Sequence, residues 1–214
     1  MTFRSYLYAN YRLVLQIIPA SVSAVQETGA AAMYDQFKVR AEGVSAEVYR
    51  FVTRSDVLDF IAGFLEKEGV TDRHGCYTLW AACPFLEGID RQPLQEIAGL
   101  KFEVTQELAA AAKIGISQLD WALTDTGTLA GDCTAIDGRL VSTLTEIHVA
   151  LVPTSGILPD MPTLLTRLHP DTSGYIAMIT GPSRTADIER VLTIGVHGPS
   201  RLVIVFCDEL GGAV

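Results

Sequence analysis

The chain is poor in the features that mark several large functional classes. Its four cysteines, Cys76, Cys83, Cys133 and Cys207, are scattered and form no CxxC pair. Iron–sulfur clusters and structural zinc sites draw on closely spaced thiolates, so neither is expected. Isolated, reduced cysteines fit a cytoplasmic protein. The histidines, His74, His148, His169 and His197, show no HxH or HExxH spacing, so no metal and no other cofactor is expected. Positive charge is scarce: 16 lysines and arginines stand against 25 acidic residues, a net charge of −9. A nucleic-acid surface needs a basic footprint to exchange for counterions, so nucleic acid is not an expected partner. No apolar run approaches the ~20 residues that span a bilayer; Ile147–Pro153 and Leu202–Cys207 have the length of strands. No GxGxxG or Walker loop follows an early strand, which leaves nucleotide binding by those modes unsupported.

What is present points to a packed enzyme-like domain. Of 214 residues, 49% are hydrophobic and 19% charged, a balance that excludes disorder. At the amino end, Arg4 and Arg12 precede Leu13–Ala20, and Ser21-Val22-Ser23-Ala24 loosely resembles a cleavage site. Gln16 and Pro19 interrupt that stretch, so a local helix is expected there and not a secretion signal. Helix and strand signals then alternate, which favours a mostly parallel sheet covered by helices. A helix is expected over Ala30–Ala41, closed by Gly43, and a strand over Glu47–Val52. Val57, Phe60, Ile61, Phe64 and Leu65 fall at i, i+3, i+4, i+7 and i+8, the pattern of an amphipathic helix, with Thr53 or Ser55 as cap and Gly69 at its end. Cys76–Trp80, Lys101–Thr105, Leu119–Leu123, Ile147–Val152, Tyr175–Thr180 and Leu202–Cys207 read as strands. Glu107–Lys113 reads as a short helix, and Asp160 with Pro162 opens another at Met161. Asp137-Gly138 between Thr128–Thr134 and Arg139–Ser142 predicts a two-residue hairpin turn, so an antiparallel hairpin should decorate the parallel sheet. A helix is expected over Arg184–Ile194. Trp80 and Trp121 should pack in the core.

Three places can carry chemistry. Thr180-Gly181-Pro182-Ser183-Arg184-Thr185-Ala186-Asp187-Ile188-Glu189 sits between an expected strand and an expected helix. A helix start offers unpaired backbone N–H groups and the positive end of a dipole. With Gly181 allowing close approach, hydroxyls on Ser183 and Thr185, and the forked donor of Arg184, the segment resembles a cradle for phosphate or carboxylate. The plainer reading makes Ser183 or Thr185 a helix cap, with Asp187 and Glu189 complementing the dipole. Next, Gly195-Val196-His197-Gly198-Pro199 supplies a histidine able to act as acid, base or ligand, or simply one favoured near a helix end. Thr124-Asp125-Thr126-Gly127 follows a strand, where ligands of open α/β sheets gather. Asp125 there is a candidate general base or nucleophile, or the start of a turn in which Gly127 takes positive φ. His148, inside an apolar strand, reads more readily as a satisfied core histidine.

These segments together resemble the LUD-domain family. The string from Thr180 to Glu189, followed by Gly195–Pro199, is similar to the family signature. Thr124-Asp125-Thr126-Gly127-Thr128 resembles its Ala-Glu-Thr-Gly-Thr segment, and Leu144–Val152 with His148 its Leu-Pro-x-x-His strand. Asp125 stands where the family usually has glutamate, one methylene longer, and Thr145 replaces a usual proline. The resemblance covers about Met33 to the carboxyl end, so residues 1–32 are expected as an amino-terminal extension and 33–214 as one α/β domain. It implies a three-layer α/β sandwich of the NagB, ribose-phosphate isomerase and CoA-transferase type. It also implies a part in oxidising L-lactate to pyruvate beside iron–sulfur partner proteins, which would carry the clusters. On that basis Asp125 and His197 are catalytic candidates. Thr126, Gly127, His148, Gly181, Ser183, Arg184, Thr185, Asp187 and Glu189 are candidates for holding a small carboxylate or phosphate. The alternative activity is transfer or isomerisation on a CoA- or phosphate-bearing substrate.

Overall fold

The computed structural model describes residues 20–169, 171–186, 192–194 and 197–211. Helix α1 (Ala20–Gly43) leads into strand β1 (Glu47–Phe51), and α2 (Arg54–Lys67) follows. The expected capping of α2 is present. Thr53 accepts from the Asp56 backbone N–H, and the Asp56 carboxylate accepts from that of Thr53, so both local donors are satisfied. Then come β2 (Thr78–Trp80), α3 (Gln92–Gln95), β3 (Leu100–Lys101), α4 (Gln106–Ala111), β4 (Ile114–Gln118), β5 (Trp121–Leu123), β6 (Thr128–Asp132), α5 (Ile136–Leu144) and β7 (Ile147–Pro153). The chain continues through β8 (Ile157–Leu158), α6 (Met161–Leu164), β9 (Ile176–Ile179), β10 (Arg184–Ala186), β11 (Leu192–Ile194) and β12 (Arg201–Cys207).

The central sheet is all parallel, in the order β1-β12-β7-β4-β2-β3. Its middle strands are buried on both faces, as parallel sheets require, and side chains alternate between two cores. Ile147, Val149, Leu151, Val203 and Val205 face α2 through Val57, Ile61 and Leu65. Ala150, Val152, Leu202, Ile204 and Phe206 face α1 through Phe37 and Ala41, and face a second sheet through Ala122 and Leu129. That second sheet has four strands, ordered β8-β5-β6-β9, and β10 with β11 forms an antiparallel ribbon. The result is a three-layer α/β sandwich. Trp80 is fully buried and Trp121 nearly so. Among the described residues no helix is long and apolar enough to cross a membrane.

Three expectations are corrected, and one strand is added. Asp137-Gly138 makes no hairpin; it lies in the first turn of α5. Ile136, Leu140, Val141 and Leu144 recur at helical spacing, and Val141 is buried against Ala109 and Leu79, so packing overrides the turn dipeptide. The antiparallel hairpin is instead β5–β6, turned by Thr124–Gly127. Helix α1 already includes Ala20, well before Ala30. Strand β4 had been hidden by Gly115 and Ser117, which interrupt its apolar pattern. Finally, the helix expected over Arg184–Ile194 is absent where the segment is described: Arg184–Ala186 and Leu192–Ile194 pair as strands.

Candidate functional site

Loss of that helix changes the chemistry of the 180–189 segment. There is no row of helix-start amides at Arg184, Thr185 and Ala186, because these residues lie in a strand. The guanidinium of Arg184 donates to the Val44 carbonyl at 2.6 Å and to Ser45 Oγ at 3.1 Å. Arg184 therefore fastens the ribbon to the turn after α1. Gly181 has φ +71°, and a Cβ there would lie 2.5 Å from the Val44 oxygen, so only glycine fits the turn and its close approach. Gly127 is alike: φ is +69°, and a Cβ would lie 2.5 Å from the Ala41 nitrogen. Asp187 and Glu189 lie outside the described residues.

The two glycine turns thus meet at the same structure, the carboxyl end of α1. Thr128 Oγ1 joins them, lying 2.8 Å from both Thr126 Oγ1 and Thr180 Oγ1. Asp125 sits exposed in the β5–β6 turn and accepts from Thr126 Oγ1 at 3.2 Å. Asp125, Thr126, Gly127 and Arg184 do not line the cleft described next.

That cleft lies at the amino ends of the central parallel strands, where β4 starts after Lys113, β7 after Glu146 and β12 after Ser200. It has two compartments. One, of about 290 Å³, is lined in part by Ser142, His148, Gly181, Ser183, His197 and Leu202. The other, of about 660 Å³, is lined in part by His74, Lys113, Thr145, Glu146, His197 and Ser200. His197 and Gly198 belong to both walls. Backbone bonds hold the loops that form them: Ser183 N–H donates to the Pro199 carbonyl at 2.8 Å, and Ser200 N–H to that of Glu146 at 2.8 Å. The structure therefore brings His148, Gly181, Ser183 and His197 together. The open sheet end expected to gather ligands is the carboxyl one; this cleft is at the opposite end.

His148 is the most unusual residue there. It is 1% exposed, and burial pushes its imidazole down to about 4, so it is neutral at pH 7. Its Nε2 lies 2.8 Å from Ser117 Oγ. Its Nδ1 is buried with no partner among the described residues. An unpaired buried polar atom costs about 1–3 kcal/mol, so this is not the satisfied core histidine that the strand pattern suggested. Ser117 was missed in the sequence. The available signal was a polar residue directly after the apolar Ile114-Gly115-Ile116, pointing to the same face as His148. No group of three or more His, Cys, Asp or Glu suited to a metal occurs among the described residues.

Comparison with known proteins follows the same outline. The LUD domain family model matches residues 34–207. Lactate utilization protein C of Oceanobacillus iheyensis is 32% identical over 109 residues, 48% of this chain and 47% of that one. Lactate utilization protein C of an Exiguobacterium species is 35% identical over 114 residues, half of each chain. The uncharacterized protein YkgG of Escherichia coli is 34% identical over 107 residues, 47% of this chain and 46% of that one. The chain spans about half the length of the curated relatives it matches. The crystal structure of a DUF162 family protein from Deinococcus radiodurans superimposes with a TM-score of 0.56 at 18% identity, covering 83% of this chain and 98% of that one, a likeness of fold alone.

Proposed function

Because the chain belongs to the LUD domain family, we propose that it is a cytoplasmic component of L-lactate oxidation to pyruvate, one that binds a small carboxylate while iron–sulfur partner proteins move the electrons. The names of its relatives support the pathway. One observation supports the binding role: a buried neutral histidine with an unpaired ring nitrogen lines a cleft beside Ser183 and His197. The cleft replaces the helix-start cradle as the expected seat of the ligand, since Arg184 is committed to Val44 and Ser45. The transfer or isomerase reading draws no support from Asp125, which is exposed and outside the cleft lining.

The test is calorimetric titration of the purified chain with L-lactate and pyruvate, paired with affinity purification from lactate-grown cells. Saturable binding is expected, weakened at least fivefold in His197→Ala, together with recovery of iron–sulfur proteins. The isolated chain should not oxidise lactate with an artificial acceptor. Turnover by the chain alone, or failure of both binding and co-purification, would overturn the reading.

A further inference from the structure

The central sheet ends on one side in an unguarded edge. Strand β1 is the outermost strand there. Its Phe51 carbonyl accepts from the Asp208 N–H, which sets the alternation of the parallel ladder with β12. Glu47, Tyr49 and Phe51 turn their main chain toward β12, and Val48 and Arg50 turn theirs outward. The N–H and C=O groups of Val48 and Arg50 have no partner among the described residues. Such an edge is ordinarily guarded by proline, a bulge or free charge. Strand β1 holds no proline or glycine. Its two charged side chains are engaged within the chain, Arg50 with Asp208 at 2.9 Å and Glu47 with Arg201 at 2.9 Å.

The surface beside that edge is aromatic. Tyr49 is 37% exposed. Its ring lies 4.7 Å from that of half-buried Phe60, which in turn stacks on Phe64 at 6.0 Å. Phe60, Gly63, Phe64 and Lys67 recur at i, i+3, i+4 and i+7 along α2, so they form one stripe. Gly63 is exposed in mid-helix, and a Cβ there would meet nothing within 4 Å. Glycine is unfavourable in a helix interior; in this stripe it leaves room for a second helix to approach. Asp59 near the start of α2 and Lys67 at its end belong to no ion pair among the described residues. Two antiparallel copies of α2 would therefore set opposite charges against each other.

We propose that a second copy of this chain pairs with β1 edge to edge, antiparallel, about a two-fold axis through Tyr49. In that register Val48 opposes Arg50 of the second copy and exchanges both N–H···O=C bonds with it, so every outward main-chain group of β1 is paired. The neighbouring registers fail. An axis at Val48 sets Arg50 against Ala46, whose N–H already donates to the Ala41 carbonyl. An axis at Arg50 sets two arginines opposite each other. Helix α2 packs on both β1 and β12. With strands about 4.8 Å apart, its two copies lie roughly 10 Å from each other, the spacing of packed helices. The other end of the sheet, β3, is only Leu100–Lys101, too short to pair in turn, so the assembly closes as a dimer. No residue of β1 or α2 lines the cleft, and both clefts remain outside the interface.

Sedimentation of the full chain across a concentration series is the test. Wild type should be dimeric at about 100 µM. Tyr49→Lys puts like charges across the axis and should weaken association at least about 100-fold. Gly63→Gln fills the space between the helices and should weaken it at least about tenfold. The same variant should melt no lower than wild type when both are dilute monomers, because an interior helix glycine gains from a side chain. Tyr49→Cys should form a disulfide-linked dimer under mild oxidation, since residues opposed in this way have Cα atoms about 4.5 Å apart, within disulfide reach. Wild type should not crosslink, nor should Thr166→Cys, which is exposed but outside β1 and α2. A wild-type monomer at about 100 µM overturns the inference, and is the outcome if something other than a second copy covers the edge. A dimer that neither Tyr49→Lys nor Gly63→Gln weakens, or that Tyr49→Cys leaves uncrosslinked, has its interface elsewhere and overturns the inference too.

Discussion

At the scale of single residues, His148 links stability to pH. Burial lowers its imidazole from 6.5 to about 4. Between those values the unfolded chain takes up a proton that the native chain refuses, so acidification favours unfolding. Native stability should therefore fall by about 3 kcal/mol between pH 7 and pH 4 on this residue's account. Urea unfolding across that range measures the slope, and His148→Gln should flatten it between pH 4 and 6.5. The sequence exposed this residue only as a polar group in an apolar strand. Its hydrogen-bond partner Ser117 lies 31 positions away and its neighbour across the sheet is Leu202 of β12, which no local pattern reports. Arg184 was equally visible and its partners equally hidden. A forked donor beside Gly181 suggests an anion, but the chain's own Val44 carbonyl and Ser45 hydroxyl occupy it.

At the scale of elements, local signals succeeded where they were dense. Helix α2 shows the expected five apolar positions, with Val57, Ile61 and Leu65 buried and its Thr53–Asp56 cap formed. Helix α6 is capped by Asp160, whose carboxylate accepts from the Thr163 N–H at 2.8 Å. The failures came where two local preferences competed. Asp137-Gly138 favours a turn and Ile136–Leu144 favours a helix; burial of Val141 decides for the helix. The segment after Gly181 has capping residues and β-branched residues in nearly equal measure, and pairing of β10 with β11 decides for the strands. That ribbon is anchored through Gly181 and Arg184 on the turn after α1. Gly181→Ala should consequently cost about 2 kcal/mol or more, since it combines a positive φ with a clash against the Val44 carbonyl. A shifted guanidinium chloride midpoint with unchanged slope measures it, and a stability within 0.5 kcal/mol (~, the range for ordinary surface changes) would contradict this account of the turn.

At the scale of the whole molecule, one cluster of charges ties the amino ends of the parallel strands together. Arg201, at the start of β12, reaches Glu47 at the start of β1 and Glu68 just past α2, and Lys113 before β4 also pairs with Glu68. The Arg201 hydrogen bond, more than any other influence, holds the Glu68 carboxyl below its ordinary 4.5. A depressed carboxylate stabilises the fold above its unfolded value, and that contribution is lost as pH falls through the native one. Glu68→Gln should lower stability at pH 7 by about 1–2 kcal/mol, with the gap from wild type closing below about pH 4; paired pH-dependent unfolding curves read it directly. The same clamp borders the cleft, because Lys113 lines its larger compartment. Composition, periodicity and caps were enough to specify an α/β chain with a buried parallel sheet, since each depends on neighbours a few residues apart. The family motifs were legible for the same reason: they are contiguous. The meeting of those motifs at the end of α1 and the place of the cleft depended on contacts between distant segments, such as Arg184 with Val44, 140 positions apart. Folding alone creates such contacts, because burial and hydrogen-bond satisfaction are properties of the assembled layers and not of any stretch of chain.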